Sequence, residues 1–209
     1  MNSVVINGEN ISKSFFRKNY IFRGLNFSVC NGEVLGICGP NGSGKSTLLK
    51  IIIGLMRQSS GKVEWEIEGK KMEESKYFLH YGFASPYLNL YEEFTPLELI
   101  AVISRLRGLK FADDESTELL KKFFLAEHRN KLIRNFSSGM KQRMKLLTAT
   151  IHKPKVLILD EPSTNLDSRG VELALSLIDS HKKDGGAVLL ASNDDHELSL
   201  CTNKVYVSN

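Results

Sequence analysis

The residues best suited to chemistry are the eight from Gly39 to Ser46, GPNGSGKS, which fit the pattern G-x-x-x-x-G-K-[ST]. Glycines let the backbone curl so that successive N–H groups point inward and surround anionic oxygens. Lys45 can reach the β- and γ-phosphates of a nucleoside triphosphate, and the Ser46 hydroxyl can bind Mg²⁺. The motif therefore predicts a nucleotide site formed by Asn41, Gly42, Ser43, Gly44, Lys45, Ser46 and Thr47.

The segments on either side of this motif supply the context that it needs. The apolar run 34–38 before it has the composition of a buried parallel strand, and the apolar positions of 47–53 suit a helix that faces a core. A helix that begins after the glycines also presents free N–H groups and partial positive charge to a phosphate. The alternative is a glycine-rich turn that ends by chance in Lys-Ser, and the strand–turn–helix order argues against it.

A pair of carboxylates follows a second apolar run. Residues 156–159 are Val-Leu-Ile-Leu, and Asp160 and Glu161 come directly after them. This strand end matches the Walker B element, in which Asp160 would hold Mg²⁺ and Glu161 would orient or deprotonate the attacking water. Taken alone, two acids after a strand are more often an ordinary polar strand end. The phosphate-binding motif is what favours the catalytic interpretation.

Composition limits the class of protein. The 209 residues are 42% hydrophobic, enough to bury a core, and the net charge of +4 does not argue for nucleic acid as a partner because charges of both signs are scattered along the chain. Three widely spaced cysteines, Cys30, Cys38 and Cys201, indicate a reducing compartment. Residues 1–7 lack the features of a signal peptide, and no apolar stretch reaches the length of a membrane span. We therefore expect a cytoplasmic protein that acts at a membrane only through other chains.

Apolar spacing divides the rest of the chain into strands and helices. Thr95, Pro96 and Glu98 predict a helix start, because Thr caps a helix, Pro suits its first position and Glu completes a capping box. Residues 15–20 read as an aromatic and basic turn. The other predicted strands cover 4–6, 25–29, 63–67, 187–191 and, at an edge, 204–207; the other predicted helices cover 97–106, 115–125, 137 or 138 to 151, and 171–182.

Four further segments resemble the nucleotide-binding domain of the ABC ATPases. Residues 135–143 (NFSSGMKQR) are similar to the signature of that family, and residues 163–167 (STNLD) are similar to its D-loop. Phe15 lies near the position of the family's adenine-stacking aromatic, which Phe16 could fill after a one-residue slip. Residues 88–95 are similar to the segment that precedes the helical subdomain. The series spans nearly the whole chain and distinguishes it from other P-loop families.

The resemblance implies an α/β fold. It consists of a P-loop NTPase core with a mostly parallel sheet, an N-terminal antiparallel β region and an inserted helical subdomain. One ABC-type ATP-binding domain would cover 1–209, with the core at 1–85 and 152–209 and the helical subdomain at about 86–151.

The resemblance also implies ATP hydrolysis with Mg²⁺ by a dimer that holds two ATP molecules head to tail. Ser137 and Gly139, at a helix N-terminus, would face the γ-phosphate bound at Lys45 of a second nucleotide-binding domain. In isolation, an ordinary helix cap would explain the same residues. The dimer, homo- or heteromeric, would drive transport through separate integral membrane permease subunits, as in simple exporters. The chain would lie at the cytoplasmic face of the membrane.

The sequence departs from the family pattern at three places. Pro86 stands where the family has a Gln that contacts Mg²⁺ and the attacking water, and Pro has neither a side-chain amide nor an N–H. Asn193 stands at the switch position of a His; it can donate to a γ-phosphate but cannot become cationic, and His196 lies three residues later. In the signature, Ser138 replaces a Gly and Met140 replaces a Gln.

These departures leave two alternatives to a transporter subunit open. With Glu161 and Asn193 as catalytic residues, we expect hydrolysis that is slow in the isolated domain. A soluble ABC-type ATPase, such as the iron–sulfur assembly type, is compatible with the size of the chain. A hydrolysis-impaired regulatory subunit would be motivated by Pro86 and Asn193 and opposed by Glu161.

Overall fold

The computed structural model describes residues 3–16, 19–110 and 112–208. Packing divides the chain into two compact units. The first comprises Met1–Tyr81, Lys155–Glu161 and Ile178–Asn209, and the second comprises Gly82–Pro154 and Pro162–Leu177. The subdomain bounds expected from the sequence, 86–151, stay a prediction.

Nine strands and six α-helices occur in the described part of the chain. The strands are β1 (Val4–Phe16), β2 (Asn19–Cys30), β3 (Val34–Cys38), β4 (Ser60–Ile67), β5 (Lys70–Lys71), β6 (Tyr81–Ala84), β7 (Val156–Asp160), β8 (Ala187–Ala191) and β9 (Asn203–Tyr206). The helices are α1 (Lys45–Ile52), α2 (Pro96–Leu106), α3 (Asp113–Lys122), α4 (Ser138–Thr150), α5 (Ser168–Lys183) and α6 (Asp195–Leu198). None of the helices in this described part is long and apolar enough to cross a membrane.

The first unit contains an antiparallel sheet with the strand order β2, β1, β4, β5. β1 pairs with β2 from Val5↔Cys30 and with β4 from Val4↔Ile67. One face of the sheet is covered, because its apolar residues are buried while the polar residues between them are exposed. The buried residues of the sheet include Ile6, Ile11, Phe22, Val29 and Trp65.

The first unit also contains four parallel strands in the order β7, β8, β3, β9. β3, β7 and β8 are buried along their whole length. A parallel strand covered on both faces is expected to be a continuous apolar run, which explains why these three were predicted with nearly their observed bounds. In the register of β7 and β8, Asp160 lies beside Ala191 at the carboxyl ends of the strands.

Trp65 fixes the far end of α1. Its indole lies in the core, and its Nε1–H donates to the Ile52 carbonyl at the last turn of α1, 2.9 Å away. The indole ring also stacks on Tyr77, with 4.6 Å between ring centroids. Because a helix leaves its last carbonyl groups without internal partners, this bond both satisfies one of them and joins α1 to the antiparallel sheet.

The second unit is mainly helical. α2 begins with the capping box expected from the sequence: the Glu98 N–H donates to Thr95 Oγ1 at 3.3 Å, and Glu98 Oε2 accepts from the Thr95 N–H at 2.7 Å. α4 begins after Ser137, whose Oγ accepts from the Met140 N–H at 3.2 Å. The core of this unit includes Leu99, Ile100, Leu120, Ile133, Met144 and Leu147.

The bounds of four predicted elements were clearly wrong. The helix expected over 115–125 ends at Lys122, because Phe124 adopts φ 57°, outside the helical region, although the apolar spacing continues past it. The strands expected over 4–6 and 25–29 extend to 4–16 and 19–30, since exposed polar positions and register shifts interrupt the apolar pattern without ending the pairing. Of the predicted turn over 15–20, residues 15–16 and 19–20 belong to these strands, and residues 17 and 18 lie outside the described residues.

Candidate functional site

Lys45 is the central cation of the first unit. It is the first residue of α1 and only 5% exposed. Its Nζ donates to the carbonyl oxygens of Gly39, at 2.9 Å, and of Pro40, at 3.3 Å, and it lies 3.5 Å from Asn41 Oδ1. The side chain therefore folds back over the glycine-rich loop, and its nearest contacts are with neutral oxygens of that loop.

The loop itself requires glycine where it enters α1. Gly44 has φ 104° and caps the helix without a side-chain hydrogen bond. A Cβ atom built on Gly44 would lie 2.4 Å from Ile21 Cγ2, because β2 packs directly against the loop. Both the backbone angle and the close approach exclude a larger residue, and they leave the first N–H groups of α1 free to bind an anion.

The two carboxylates predicted to be catalytic lie at the end of β7. Asp160 is the last residue of the strand and 2% exposed. Glu161 follows it with φ 46°, and its N–H donates to the Ala191 carbonyl at 2.8 Å. This turn places Glu161 Oε1 3.9 Å from Lys45 Nζ, so the predicted Walker B acid and the P-loop lysine lie together.

Asn193 joins the same group of residues from the loop after β8. Its Nδ2 donates to Asn41 Oδ1 at 3.1 Å, which links the predicted switch residue to the glycine-rich loop. His196 lies on α6, where its N–H donates to Asp194 Oδ1, and its side chain is exposed. In this arrangement Asn193, and not His196, contacts the loop.

Phe15 lies near the end of β1 with 58% of its surface exposed. Lys13 Nζ is 5.1 Å from the centroid of its ring. An exposed aromatic face is what stacking on a base requires, and the assignment of Phe15 to adenine stays a prediction. Ser46 and Thr47 are half-buried in the first turn of α1, next to Lys45.

In the second unit, the residues that resemble the signature form the start of α4. Ser137 is the exposed N-cap residue, and Gly139 is buried in the first turn. A Cβ on Gly139 would lie 2.8 Å from the Asn165 carbonyl oxygen, closer than side chains normally approach a backbone oxygen. The absence of a side chain at Gly139 therefore allows the segment 163–167 to contact α4.

Two side chains of α4 also contact that segment. Gln142 is buried, and its Nε2 donates to the Pro162 carbonyl at 2.9 Å. Arg143 Nη2 lies 3.6 Å from Asp167 Oδ2, and Asp167 Oδ1 accepts from the Gly170 N–H at 2.9 Å. The segments that resemble the signature and the D-loop are thus held together by side chains within the second unit.

The sequence analysis missed Lys145. It is 8% exposed on α4, and its Nζ donates to the Pro86 carbonyl at 2.5 Å. Burial lowers the pKa of the Lys145 ammonium below its ordinary value, and the nearby charge of Lys141 lowers it further. The available signal was a lysine among the apolar residues of α4, at a position where a solvent-exposed charge is not expected.

The glycine-rich loop fits a magnesium-bound nucleoside triphosphate. Ser43 Oγ is buried and has no hydrogen-bond partner among the residues that the structure describes, and Lys45 contacts neutral acceptors that are weaker than phosphate oxygens. No group of three or more His, Cys, Asp or Glu residues in the described ranges could hold a metal ion. A metal at Ser46 and Asp160 would therefore take its other ligands from the nucleotide and water, as Mg²⁺ commonly does.

Comparison with known proteins gives one consistent result. The family model described as ABC transporter matches residues 22–164. The chain is 32% identical over 187 residues to the lantibiotic transport ATP-binding protein SrtF of Streptococcus pyogenes, covering 88% of this chain and 78% of SrtF. It is 30% identical over 205 residues to the linearmycin resistance ATP-binding protein LnrL of Bacillus subtilis (strain 168), covering 96% of this chain and 65% of LnrL.

The fold is also found among solved structures. A structure described as the ATP binding subunit of an ABC transporter matches 98% of this chain and 86% of its own chain, with a TM-score of 0.84 and 27% sequence identity. The expected α/β fold, with an antiparallel sheet and a parallel sheet, is confirmed by this match.

Proposed function

The chain belongs to the ABC transporter family, and from this premise we propose that it binds and hydrolyses ATP and drives transport through separate membrane subunits. The observation that supports the chemistry best is the cluster of Lys45, Glu161, Asn41 and Asn193 in the first unit. Lys45 and Glu161 lie 3.9 Å apart, and Asn193 contacts Asn41 at 3.1 Å. An ammonium, a carboxylate and an amide donor thus lie around one loop, and this supports binding and hydrolysis of a nucleoside triphosphate.

ATP binds through the glycine-rich loop and α1. Free N–H groups at the start of α1 and the Lys45 ammonium bind the β- and γ-phosphate oxygens, and the buried Ser43 Oγ gains a phosphate oxygen as a hydrogen-bond partner. Ser46 and Asp160 would hold Mg²⁺, which would neutralise phosphate charge. Phe15, exposed at the end of β1, stacks on the adenine.

Glu161 acts on the attacking water. A carboxylate at this place orients the water and accepts its proton, and Glu161 Oε1 lies 3.9 Å from Lys45 Nζ. Asn193 donates a hydrogen bond to the γ-phosphate and so stabilises the negative charge that develops on its oxygens in the transition state. Pro86 offers no polar side chain for the same purpose, so we propose that hydrolysis is slow in the isolated chain.

A second copy, or a related chain, completes each site. Ser137 and Gly139 at the start of α4 present free N–H groups of the kind that bind anions, and in the dimer they face the γ-phosphate held by the partner's P-loop. ATP binding closes this dimer and hydrolysis reopens it. The dimer lies at the cytoplasmic face of the membrane. Integral membrane permease subunits transmit its movement and determine which compound is transported.

One alternative is supported by particular residues. A regulatory subunit that binds ATP without turnover would explain Pro86 and Asn193 in place of Gln and His. Glu161 argues against it, because this carboxylate is present and lies beside Lys45.

The test is the rate of Mg-ATP hydrolysis by the purified chain over a range of protein concentrations. We expect the rate to rise more than linearly with concentration, because two chains form the site. Glu161→Gln should lower kcat by about 100- to 1000-fold and leave ATP binding intact. Glu172→Gln, an exposed change on α5, is the matched control and should leave the rate unchanged.

Two outcomes would contradict the proposal. Tight ATP binding without turnover at any concentration would favour the regulatory subunit. Undiminished turnover in Glu161→Gln would show that another group acts on the water.

A further inference from the structure

The turn after α3 has an unusual residue in a left-handed conformation. Phe124 has φ 57°, and it is the only aromatic residue with positive φ in the part of the chain that the structure describes. Its N–H donates to the Lys121 carbonyl at 3.0 Å, and the Leu125 N–H donates to the Leu120 carbonyl at 2.9 Å. This is the usual helix-ending turn in which glycine is preferred, because a bulky side chain is strained there.

The ring of Phe124 contacts two cations. The centroid lies 5.1 Å from Arg169 Cζ and 6.0 Å from Arg143 Cζ. An aromatic ring attracts guanidinium groups at these distances, and Arg binds aromatic rings more often than Lys does. The ring is 43% exposed, so burial of apolar surface alone does not explain why Phe occupies this strained position.

The two arginines belong to the two regions of the second unit that contact each other, the start of α4 and the region of the segment 163–167. Arg143 lies one turn after Gly139 on α4 and also contacts Asp167, at 3.6 Å. Arg169 lies in the first turn of α5, directly after the segment 163–167. Phe124 is therefore connected through one guanidinium to the start of α4 and through the other to the start of α5.

We propose that Phe124 is a positioning residue, which holds Arg143 and Arg169 on its ring and so fixes the segment 163–167 against the start of α4. The proposal rests on the proposed function, because these segments are the ones that complete the ATP site of the partner. The strain at Phe124 favours this positioning role over a role in the turn alone. Glycine would form the same turn without strain, but it would leave both guanidinium groups without the ring.

The test compares Phe124→Gly with Phe124→Tyr and with a matched control, Lys153→Gly. Lys153 also has positive φ, 47°, in an exposed turn after a helix, and it has no aromatic ring. Both glycine variants relieve backbone strain and add the same flexibility to the unfolded chain, and denaturant titration checks that both fold. Only Phe124→Gly removes the ring, and Phe124→Tyr retains it.

The first readout is hydrogen exchange, which does not require catalysis. The Leu166 N–H donates to the Ser163 carbonyl at 3.1 Å inside the segment of interest. We expect its exchange in Phe124→Gly to be about tenfold faster than in the parent, as two weak cation–π contacts are lost. Lys153→Gly and Phe124→Tyr should exchange as slowly as the parent.

The second readout is the kinetics of ATP hydrolysis. Phe124→Gly should lower kcat by about tenfold with an unchanged KM for Mg-ATP, and Phe124→Tyr should restore the parent rate. Unchanged exchange at Leu166 in Phe124→Gly would overturn the proposal, as would a parent-like kcat. If the parent itself does not hydrolyse ATP, the proposed function fails, and the exchange experiment still decides whether Phe124 positions the segment.

Discussion

The phosphate-binding loop of the first unit and the start of α4 in the second unit both present free N–H groups at a helix N-terminus, but they are held in different ways. In the loop, Lys45 contacts carbonyl groups only a few residues away, at Gly39 and Pro40. At α4, the supporting contacts come from residues distant in sequence, such as Gln142 with Pro162. The hydrogen bonds of Lys45 to carbonyl groups are thus local to one motif, although Asn193 and Glu161 also approach the loop from distant positions in the sequence. The contacts of α4 with Pro162 are long-range.

This difference in supporting contacts predicts that ATP binding and ATP hydrolysis respond to different substitutions. A lysine held by carbonyl groups of its own loop is less sensitive to distant substitutions than a site held mainly by long-range contacts. We therefore expect the loss of the Lys45 ammonium to weaken ATP binding, and substitutions around α4 to change the rate of hydrolysis at constant ATP affinity.

Lys45→Ala should give the largest effect. It removes a charged donor to two phosphates, which is equivalent to about 3 kcal/mol, or about a 100-fold weaker ATP affinity, with a further loss in kcat/KM. Titration calorimetry with ATP in the Glu161→Gln background measures the affinity without hydrolysis. Lys50→Ala, in the last turn of the same helix, is the control and should bind ATP as the parent does. An unchanged affinity in Lys45→Ala would remove the distinction between the two regions.

Gly139→Ala should have a smaller effect, confined to turnover. The added Cβ would lie 2.8 Å from the Asn165 carbonyl oxygen, so the segment 163–167 must move by a few tenths of an ångström. Such a shift should lower kcat by about tenfold and leave ATP affinity unchanged. Steady-state kinetics and calorimetry on the same preparation measure both, with Thr148→Ala on α4 as the control. Weaker ATP binding in Gly139→Ala, with a normal kcat, would contradict the assignment of α4 to turnover.

Ser137→Ala should have the smallest of the three effects, a slight loss of thermal stability. It removes the side-chain acceptor of the Met140 N–H, and the loss of such a cap costs about 1 kcal/mol. For a chain of this size that lowers Tm by about 2–4 °C, which differential scanning calorimetry resolves. Ser137→Asn keeps an acceptor at the same place and should retain the parent Tm. Equal Tm values for Ser137→Ala and the parent would show that the cap contributes nothing to α4.

The sequence predicted the parallel strands and the loop between β3 and α1 well because their determinants are local. The strand Val34–Cys38 is a continuous apolar run, and the glycine pattern after it has a single physical explanation. In the structure Asn193 contacts Asn41, and Glu161 lies beside Lys45. Their catalytic roles stay predictions.

Other features depend on contacts that periodicity does not reveal. The apolar spacing over 115–125 continues through Phe124, and this spacing does not reveal the left-handed conformation of Phe124 that follows the end of the helix at Lys122. Lys145 was overlooked for the same reason, since its acceptor, the Pro86 carbonyl, is distant in sequence. The long hairpin of β1 and β2 was underestimated because register shifts interrupt its alternation.

The indole of Trp65 gives the chain an internal optical reporter. It is the only tryptophan in the sequence, and in the folded chain it is fully removed from water, hydrogen-bonded to the end of α1 and stacked on Tyr77. Its emission should therefore be at short wavelength in the native state and should shift to the red when α1 separates from the antiparallel sheet. Because Trp65 belongs to the first unit, fluorescence follows the unfolding of the phosphate-binding unit by itself, while circular dichroism follows the helices of both units.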